Sequence, residues 1–360
     1  MKEIRPQRVR RRAFLKQASR IAAAGALLSE TTHAAAVEVP AMERRTLPTC
    51  VLGKTGVKLP RLGYGGAALP KKWGNPLSTE DRVKLVRHAY DRGIRYFDTA
   101  ISYTYEDSQA IIGKALRDVR DEVFITTKVD FWNLSRPDGR IDRVDKKEVA
   151  RQVDMNLSEL QSDHIDAILI HGTPGVEQMT VEQCLEVREG LDRAREQGKV
   201  RFIGFSAHHY FDKALALIFS GEFDLCMLAY GYLPRGHSRL FSPRTTELRN
   251  ACLARADALN MGIVAMKVLG AGMLGAWSEA IVPGFDRDRL RRLPGAAIRH
   301  VLQDERVHLL TIGMRLPEEI DANIAHLSDS RAYTPEDRAV LAEYGAKAYE
   351  SAAIKNLNVE

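Results

Sequence analysis

The stretch Ile94-Arg95-Tyr96-Phe97-Asp98-Thr99-Ala100-Ile101-Ser102-Tyr103 runs from a short strand-like segment into an acid, with a phenol five positions after that acid. The same punctuation recurs downstream. Lys128 closes Val123-Phe124-Ile125-Thr126-Thr127, and His171 closes Ile168-Leu169-Ile170. Strand-like runs at 61–64, 94–97, 123–127, 165–170, 200–205, 223–228, 262–266 and 307–312 alternate with helix-period segments. In one segment Cys184, Val187, Leu191 and Ala194 recur at three- and four-residue steps, and Gly198 supplies the stop. In another, Val83, Val86, Ala89 and Tyr90 recur before Gly93, and Ser78 with Asp81 is spaced as a capping box. Eight such alternations predict parallel strands joined by helical crossovers. The predicted fold is therefore α/β, a (β/α)8 TIM barrel, which needs ~250 residues. A doubly wound open sheet is the alternative, but no G-x-G-x-x-G follows the first strand. Residues 50–59, with Gly53 and Thr55-Gly56, read as a hairpin closing the barrel floor. Residues 335–347 read as an extra C-terminal helix, and 133–145 as a polar loop.

The chain has 360 residues, 45% apolar content and a formal charge of +6. The basicity is local: the first 36 residues hold eight Lys/Arg and two Asp/Glu, which leaves the remainder neutral. That removes the electrostatic footprint of a nucleic-acid binder. Arg10-Arg11-Arg12-Ala13-Phe14-Leu15-Lys16, an apolar run over 21–28 and small residues at Ala34-Ala35-Ala36 have the order of a twin-arginine export signal. The apolar run is too short to span a bilayer. The expected organisation is a signal peptide over 1–36 and one barrel domain over 37–360. The export machinery is then a partner, the mature protein is periplasmic or otherwise exported, and it carries no membrane anchor. The four cysteines, Cys50, Cys184, Cys226 and Cys252, form no C-x-x-C, so a metal or redox cluster has no support.

In such a barrel, function collects on the loops after the strands. Asp98, Tyr103, Lys128 and His171 all fall there. A phenol, with an ordinary pKa near ~10, is a weak acid at neutral pH. A nearby ammonium favours its phenolate, a carboxylate keeps a buried ammonium charged, and an imidazole can orient a carbonyl oxygen. Together they would protonate an alkoxide as it forms, as reduction of a carbonyl by hydride from a cofactor demands. Taken singly, each residue has a bland reading as a loop cap, a surface charge or a packing group. Compatible types at successive strand ends argue for a joint role. His208-His209 reads as pocket lining rather than a metal pair, because adjacent residues on an extended segment point apart. Trp73, Tyr105 and Trp132 are pocket walls or packing aromatics.

These motifs, in this order, resemble the aldo/keto reductase family. They are Leu52-Gly53-Lys54-Thr55-Gly56, Leu62-Gly63-Tyr64-Gly65-Gly66, Phe97-Asp98-Thr99-Ala100 with Tyr103, Gly113 with Ala115-Leu116, Thr127-Lys128, Ile170-His171 and the run from Gly198 to Ser206. The resemblance implies a barrel that binds NADP or NAD without a Rossmann domain. It implies Tyr103 as general acid, tuned by Lys128 and Asp98, with His171 orienting the carbonyl of a small-molecule carbonyl or alcohol substrate. It places the cofactor on Gly65, Gly66, Ser206, Met227, Met266, Gly313, Arg315 and Asn323. Ala207, Met227, Met266 and Glu319 depart from the usual Asn, Gln, aromatic and Arg or Gln. The Met266-Lys267 pair and Phe205-Ser206-Ala207-His208 resemble an outlying branch, some of whose members carry iron–sulfur clusters; the cluster cysteines are missing here. The departures motivate a second hypothesis, a nicotinamide-binding sensor or regulatory subunit with little turnover. A third, a metal-dependent barrel hydrolase on Asp98, His171 and His208, lacks an H-x-H after the first strand.

Overall fold

A computed structural model describes residues 46–131, 141, 143–237, 239–329 and 332–359. The segment read as a twin-arginine signal, Trp132 and most of the loop after it lie outside these residues.

The chain enters through an antiparallel hairpin, β1 (Thr49–Val51) and β2 (Lys58–Pro60), with Cys50 opposite Leu59. Gly53 sits at its turn with φ +47, and a side chain there would collide with the backbone of Met261. The hairpin therefore lies against the entry to a later barrel strand, on the floor side. Next come β3 (Leu62–Gly65), α1 (Thr79–Asp91), β4 (Tyr96–Asp98), the one-turn α2 (Ser102–Tyr105), α3 (Ser108–Leu116) and β5 (Phe124–Val129). Then follow α4 (Lys146–Leu160), β6 (Ile165–Ile170), α5 (Val181–Glu196), β7 (Val200–Ala207), α6 (Phe211–Ser220) and β8 (Leu225–Ala229). The chain continues through β9 (Arg239–Leu240), α7 (Pro243–Ala258), β10 (Gly262–Met266), α8 (Ser278–Ile281), α9 (Arg287–Leu302) and β11 (Leu309–Ile312). It ends with α10 (Pro317–Asp329), α11 (Pro335–Glu350), α12 (Ala352–Lys355) and β12 (Asn358–Val359), which pairs with β9.

Strands β3 to β8, β10 and β11 close into a barrel, and every pairing between neighbours around it is parallel. Closure is made by β11 on β3, with Leu310 opposite Leu62. Every residue of β5 and β6 is buried, because helices cover one face and barrel side chains the other. The eight predicted strand runs correspond to the eight barrel strands. The helix period holds as well: Cys184, Val187, Leu191 and Ala194 are the buried stripe of α5, which Thr180 and Gln183 open as a reciprocal capping box. At Ser78 the cap is simpler. Its Oγ accepts from the Asp81 N–H at 3.1 Å and donates to the Asp81 carboxylate at 2.8 Å.

A second apolar cluster lies beside the barrel core. Leu341, Tyr344 and Ala348 of α11 pack there with Leu293 and Ala297 of α9 and with Met273 and Leu274 of the loop after β10. The predicted extra helix thus holds down one of the loops at the barrel mouth. Among the described residues, no helix is long and apolar enough to cross a membrane.

Candidate active site

Asp98 ends β4 and Lys128 lies near the end of β5. Both are buried, and the Lys128 ammonium donates to Asp98 Oδ1 at 2.5 Å and to the Thr99 carbonyl at 2.5 Å. Burial pushes the Asp98 carboxyl up, against the opposing pull of Lys128. Behind the pair, Thr127 donates within a buried set that includes Gln109 and Asn156, and Asn156 also donates to the Lys128 carbonyl at 3.2 Å. The ammonium is therefore held by one side-chain and one main-chain contact, both at the end of β4.

His171 follows β6, is 4% exposed, and sets Nδ1 3.4 Å from Asp130 Oδ2. Asp130 stands two residues beyond Lys128. Gln152 clamps its backbone, accepting its N–H and donating to its carbonyl, both at 2.7 Å. The Thr104 hydroxyl also donates to Asp130 Oδ2. Asp130 thus joins His171 to α2, the turn that carries both candidate tyrosines.

Tyr103, expected beside Lys128, faces away from it. Its hydroxyl lies 2.8 Å from Arg151 Nη2 and 3.3 Å from Met155 Sδ, on the exposed side of α4. The phenol placed at the buried cluster is Tyr105. The Lys128 ammonium is 5.3 Å from its ring centroid, and the His171 ring meets it edge-on at 6.1 Å. The reason is geometric. Residues two apart on a helical turn are rotated by roughly 200°, so they cannot share a face. The turn is pinned by Ser102, which donates to Glu159 through its backbone N–H and hydroxyl, and by Thr104 on Asp130. With those two anchored, Tyr103 points to α4 and Tyr105 to the barrel mouth. Burial, with the charges of Asp98 and Asp130, pushes the Tyr105 phenol well above its ordinary pKa.

Trp73 packs edge-on against Tyr105 at 5.1 Å and is a wall of this site. The Trp73 carbonyl accepts from Arg315 Nη2 at 2.9 Å, and the Arg315 guanidinium lies 5.0 Å from the Trp277 ring centroid. Arg315 precedes α10, and its backbone N–H donates to Glu319 at 2.6 Å. Gly65 and Gly313 approach so closely that a side chain on Gly65 would meet the Gly313 nitrogen at 2.9 Å. On Gly66 one would collide with the Asp98 carbonyl oxygen at 2.5 Å. Ser206 on β7 is buried, and its Oγ accepts from the Gly172 N–H at 2.9 Å. Met227 is its register partner on β8 and belongs to the apolar core. Met266 ends β10 at 8% exposure, and Asn323 of α10 is buried at 4%.

The structure therefore brings Asp98, Lys128 and His171 together, adds Tyr105 and Asp130, and leaves Tyr103 outside. His208 and His209 are both buried, but their rings diverge. His208 meets His237 at 5.8 Å, while His209 meets Phe241 at 6.0 Å. Among the described residues, no group of three or more His, Cys, Asp or Glu could hold a metal ion.

The sequence profile of the aldo/keto reductase family matches residues 61–343. An L-galactose dehydrogenase of Arabidopsis thaliana is 24% identical over 299 residues, 77% of this chain and 87% of that protein. A D-threo-aldose 1-dehydrogenase of a Pseudomonas species is 27% identical over 307 residues, 74% of this chain and 89% of that protein. The solved structure of an aldo-keto reductase from Bacillus halodurans in its holo form superposes with a TM-score of 0.62 at 18% identity, covering 83% of this chain and 96% of that one.

Proposed function

The chain belongs to the aldo/keto reductase family and is an oxidoreductase, and from its site we propose an enzyme that interconverts a carbonyl and an alcohol by hydride transfer, with Tyr105 exchanging the proton. The observation that carries this is the placement of Tyr105 between the Lys128 ammonium and the His171 ring.

The residues fit a nicotinamide dinucleotide, which when bound supplies or accepts the hydride. Arg315 stands at the start of a 13-residue helix, and its guanidinium has no ion pair with a carboxylate among the described residues. It suits the adenosine end of the dinucleotide, where a 2′-phosphate would meet both its positive charge and the Glu319 carboxylate. Ser206 accepts from Gly172 and keeps its own hydroxyl proton for a nicotinamide amide. Gly65, Gly66, Gly313 and Asn323 would hold the stretch of cofactor between these points, and Met266 can cover a ring face through its polarisable sulfur. Glu319 takes the Arg315 backbone N–H with a full negative charge, which disfavours an additional 2′-phosphate. The preferred cofactor is NADH.

Tyr105 keeps its proton at neutral pH, as a donor to a forming alkoxide must. Lys128 offsets the negative charge left on the phenol, and Asp98 holds the Lys128 side chain in place. Asp130 accepts His171 Nδ1–H, which leaves Nε2 for the substrate oxygen. By microscopic reversibility the same groups take the proton from an alcohol, and the dehydrogenase names of two relatives support that direction. The buried, charge-paired site argues against a turnover-free sensor.

The leader supports export of the folded, cofactor-loaded enzyme by the twin-arginine machinery. Lysine at Arg11 and Arg12 together should retain the protein in the cytoplasm. The exported form should carry nicotinamide absorbance, and a folded exported protein without it would contradict this reading. Hydride transfer itself is tested by replacing Tyr105 with Phe, which should abolish carbonyl reduction while NADH still binds.

A further inference from the structure

Beyond the proton-transfer residues, the barrel mouth carries a cluster of basic side chains that the chemistry above does not use. Lys267 follows β10 directly, in the left-handed region at φ +63. A lysine there is strained, and such strain collects at functional positions. Burial pushes its ammonium down to about 8, with the Arg235 charge acting in the same direction and Glu177 opposing. Arg235, in the loop after β8, donates only to neutral acceptors: the carbonyls of Gly270 at 3.3 Å and His237 at 3.2 Å, and Met273 Sδ at 3.3 Å. Its Nε is buried without a partner. Neither Lys267 nor Arg235 is ion-paired among the described residues.

Imidazoles stand beside these cations. His208 is 8% exposed, its Nδ1 is buried without a partner, and its ring meets that of His237 at 5.8 Å. The two loops are latched together. A side chain on Gly236 would collide with the His208 carbonyl and the His209 ring, and the His237 N–H donates to His209 Nε2 at 3.0 Å. The ring of His208 lies 3.1 Å from where a Gly172 side chain would start, so it abuts the residue next to His171. Burial lowers the His208 and His237 imidazoles, with Lys267 and His171 adding in the same direction, while Arg315 is lowered by burial with Glu319 and Tyr64 opposing. The cluster therefore sits on the His171 side of the mouth, apart from the place assigned to the adenosine end of the cofactor.

Two sheltered cations with no ion pair among the described residues, one of them offset only by the nearby Glu177 charge, are costly unless something anionic joins them. Glu177 favours the charged Lys267 from nearby and accepts the Thr173 hydroxyl at 2.5 Å, but among the described residues it makes no ion pair with Lys267. We infer that Lys267 and Arg235, with His208 and His237 around them, form a subsite for a carboxylate carried by the substrate. The substrate class is then a carbonyl or alcohol compound with an acidic group. The inference rests on the hydride-transfer reading for its reaction, but not for its binding.

Two planar aldehydes of similar shape test it: 4-carboxybenzaldehyde and 4-nitrobenzaldehyde, reduced by the mature enzyme with NADH. The enzyme should favour the carboxylate about ten-fold or more in kcat/KM, the scale of a charge-assisted contact. Lys267→Met and Arg235→Met should each bring that ratio towards one, while Lys267→Arg should retain it. Calorimetric titration with terephthalate gives a readout free of turnover, in which wild type binds and Lys267→Met does not. Turnover of neither aldehyde with terephthalate binding intact would support the subsite and count against the hydride reading. No preference in wild type and no terephthalate binding would overturn the subsite whether or not the variants fold. A retained ratio in Lys267→Met with weakened NADH binding would also overturn it, by assigning the cluster to the cofactor's pyrophosphate.

Discussion

Tyr103 and Tyr105 stand two residues apart on one helical turn and face opposite ways, Tyr103 onto Arg151 at 2.8 Å and Tyr105 onto the Lys128 ammonium and the His171 ring. Only one can exchange a proton with a substrate at the barrel mouth. Replacing Tyr105 with Phe is expected to lower kcat by about 10²–10⁴-fold, the range of a lost general acid. NADH affinity should stay close to wild type. Replacing Tyr103 with Phe removes an exposed contact to Arg151 and should cost less than about three-fold. Steady-state kinetics with a fluorescence titration of NADH checks both. A larger loss at Tyr103 than at Tyr105 would reverse the assignment.

The barrel was legible because its strands are short apolar runs at even spacing, and its helices bury stripes such as Cys184, Val187, Leu191 and Ala194. Asp98, Lys128 and His171 were legible because each closes a strand, and a strand end in a closed parallel barrel has one place to go. Tyr105 was not, because counting forward from Asp98 lands on Tyr103. Which face of a single turn points inward is decided by partners remote in sequence, here Glu159 for Ser102 and Asp130 for Thr104. Asp130 was hidden for the same reason: its carboxylate acquires meaning only when β6 brings His171 within 3.4 Å. The Lys267 cluster draws on loops after three different strands, and no spacing within one segment announces it.

Asp130 touches both His171 and the turn that carries Tyr105, and its charge helps to hold the Tyr105 phenol protonated. In Asp130→Asn that contribution disappears, so the Tyr105 pKa falls. Carbonyl reduction needs the protonated phenol, so the alkaline limb of kcat/KM should move to lower pH. A loss of about ten-fold in kcat should accompany it, from a less constrained His171. A pH profile of the variant beside wild type measures both. A uniform drop with an unmoved limb would reduce Asp130 to a packing residue.

The Asp98–Lys128 pair is buried, so removing one partner strands the other. Lys128→Met should destabilise the fold by about 3–5 kcal/mol at neutral pH. The sign with pH follows from Asp98. Burial already raises its folded pKa, and loss of the ammonium raises it further. A group with a raised folded pKa gives its stability below the unfolded value and loses it as pH rises through the folded one. The variant's deficit should therefore shrink on acidification towards the ordinary Asp range. Urea melts at several pH values follow it, and a deficit that grew on acidification would contradict the pairing.

Glu319 and Arg315 set the cofactor preference together. The Glu319 carboxylate accepts the Arg315 backbone N–H at 2.6 Å, so negative charge stands at the helix start. A 2′-phosphate arriving there would meet like charge in a partly sheltered place, where a single charge is worth about 1–2 kcal/mol at a helix terminus. Glu319→Gln keeps the hydrogen bond and removes the charge. Affinity for NADPH should rise by about ten-fold with that for NADH nearly constant, because the adenosine ribose of NADH brings no charge to this point. Arg315→Met, by contrast, should weaken NADPH more than NADH, since the guanidinium attracts any phosphate near it. Titrations of both cofactors against wild type and the two variants separate the contributions. An unchanged NADPH-to-NADH ratio in both would place the adenosine end of the cofactor away from α10.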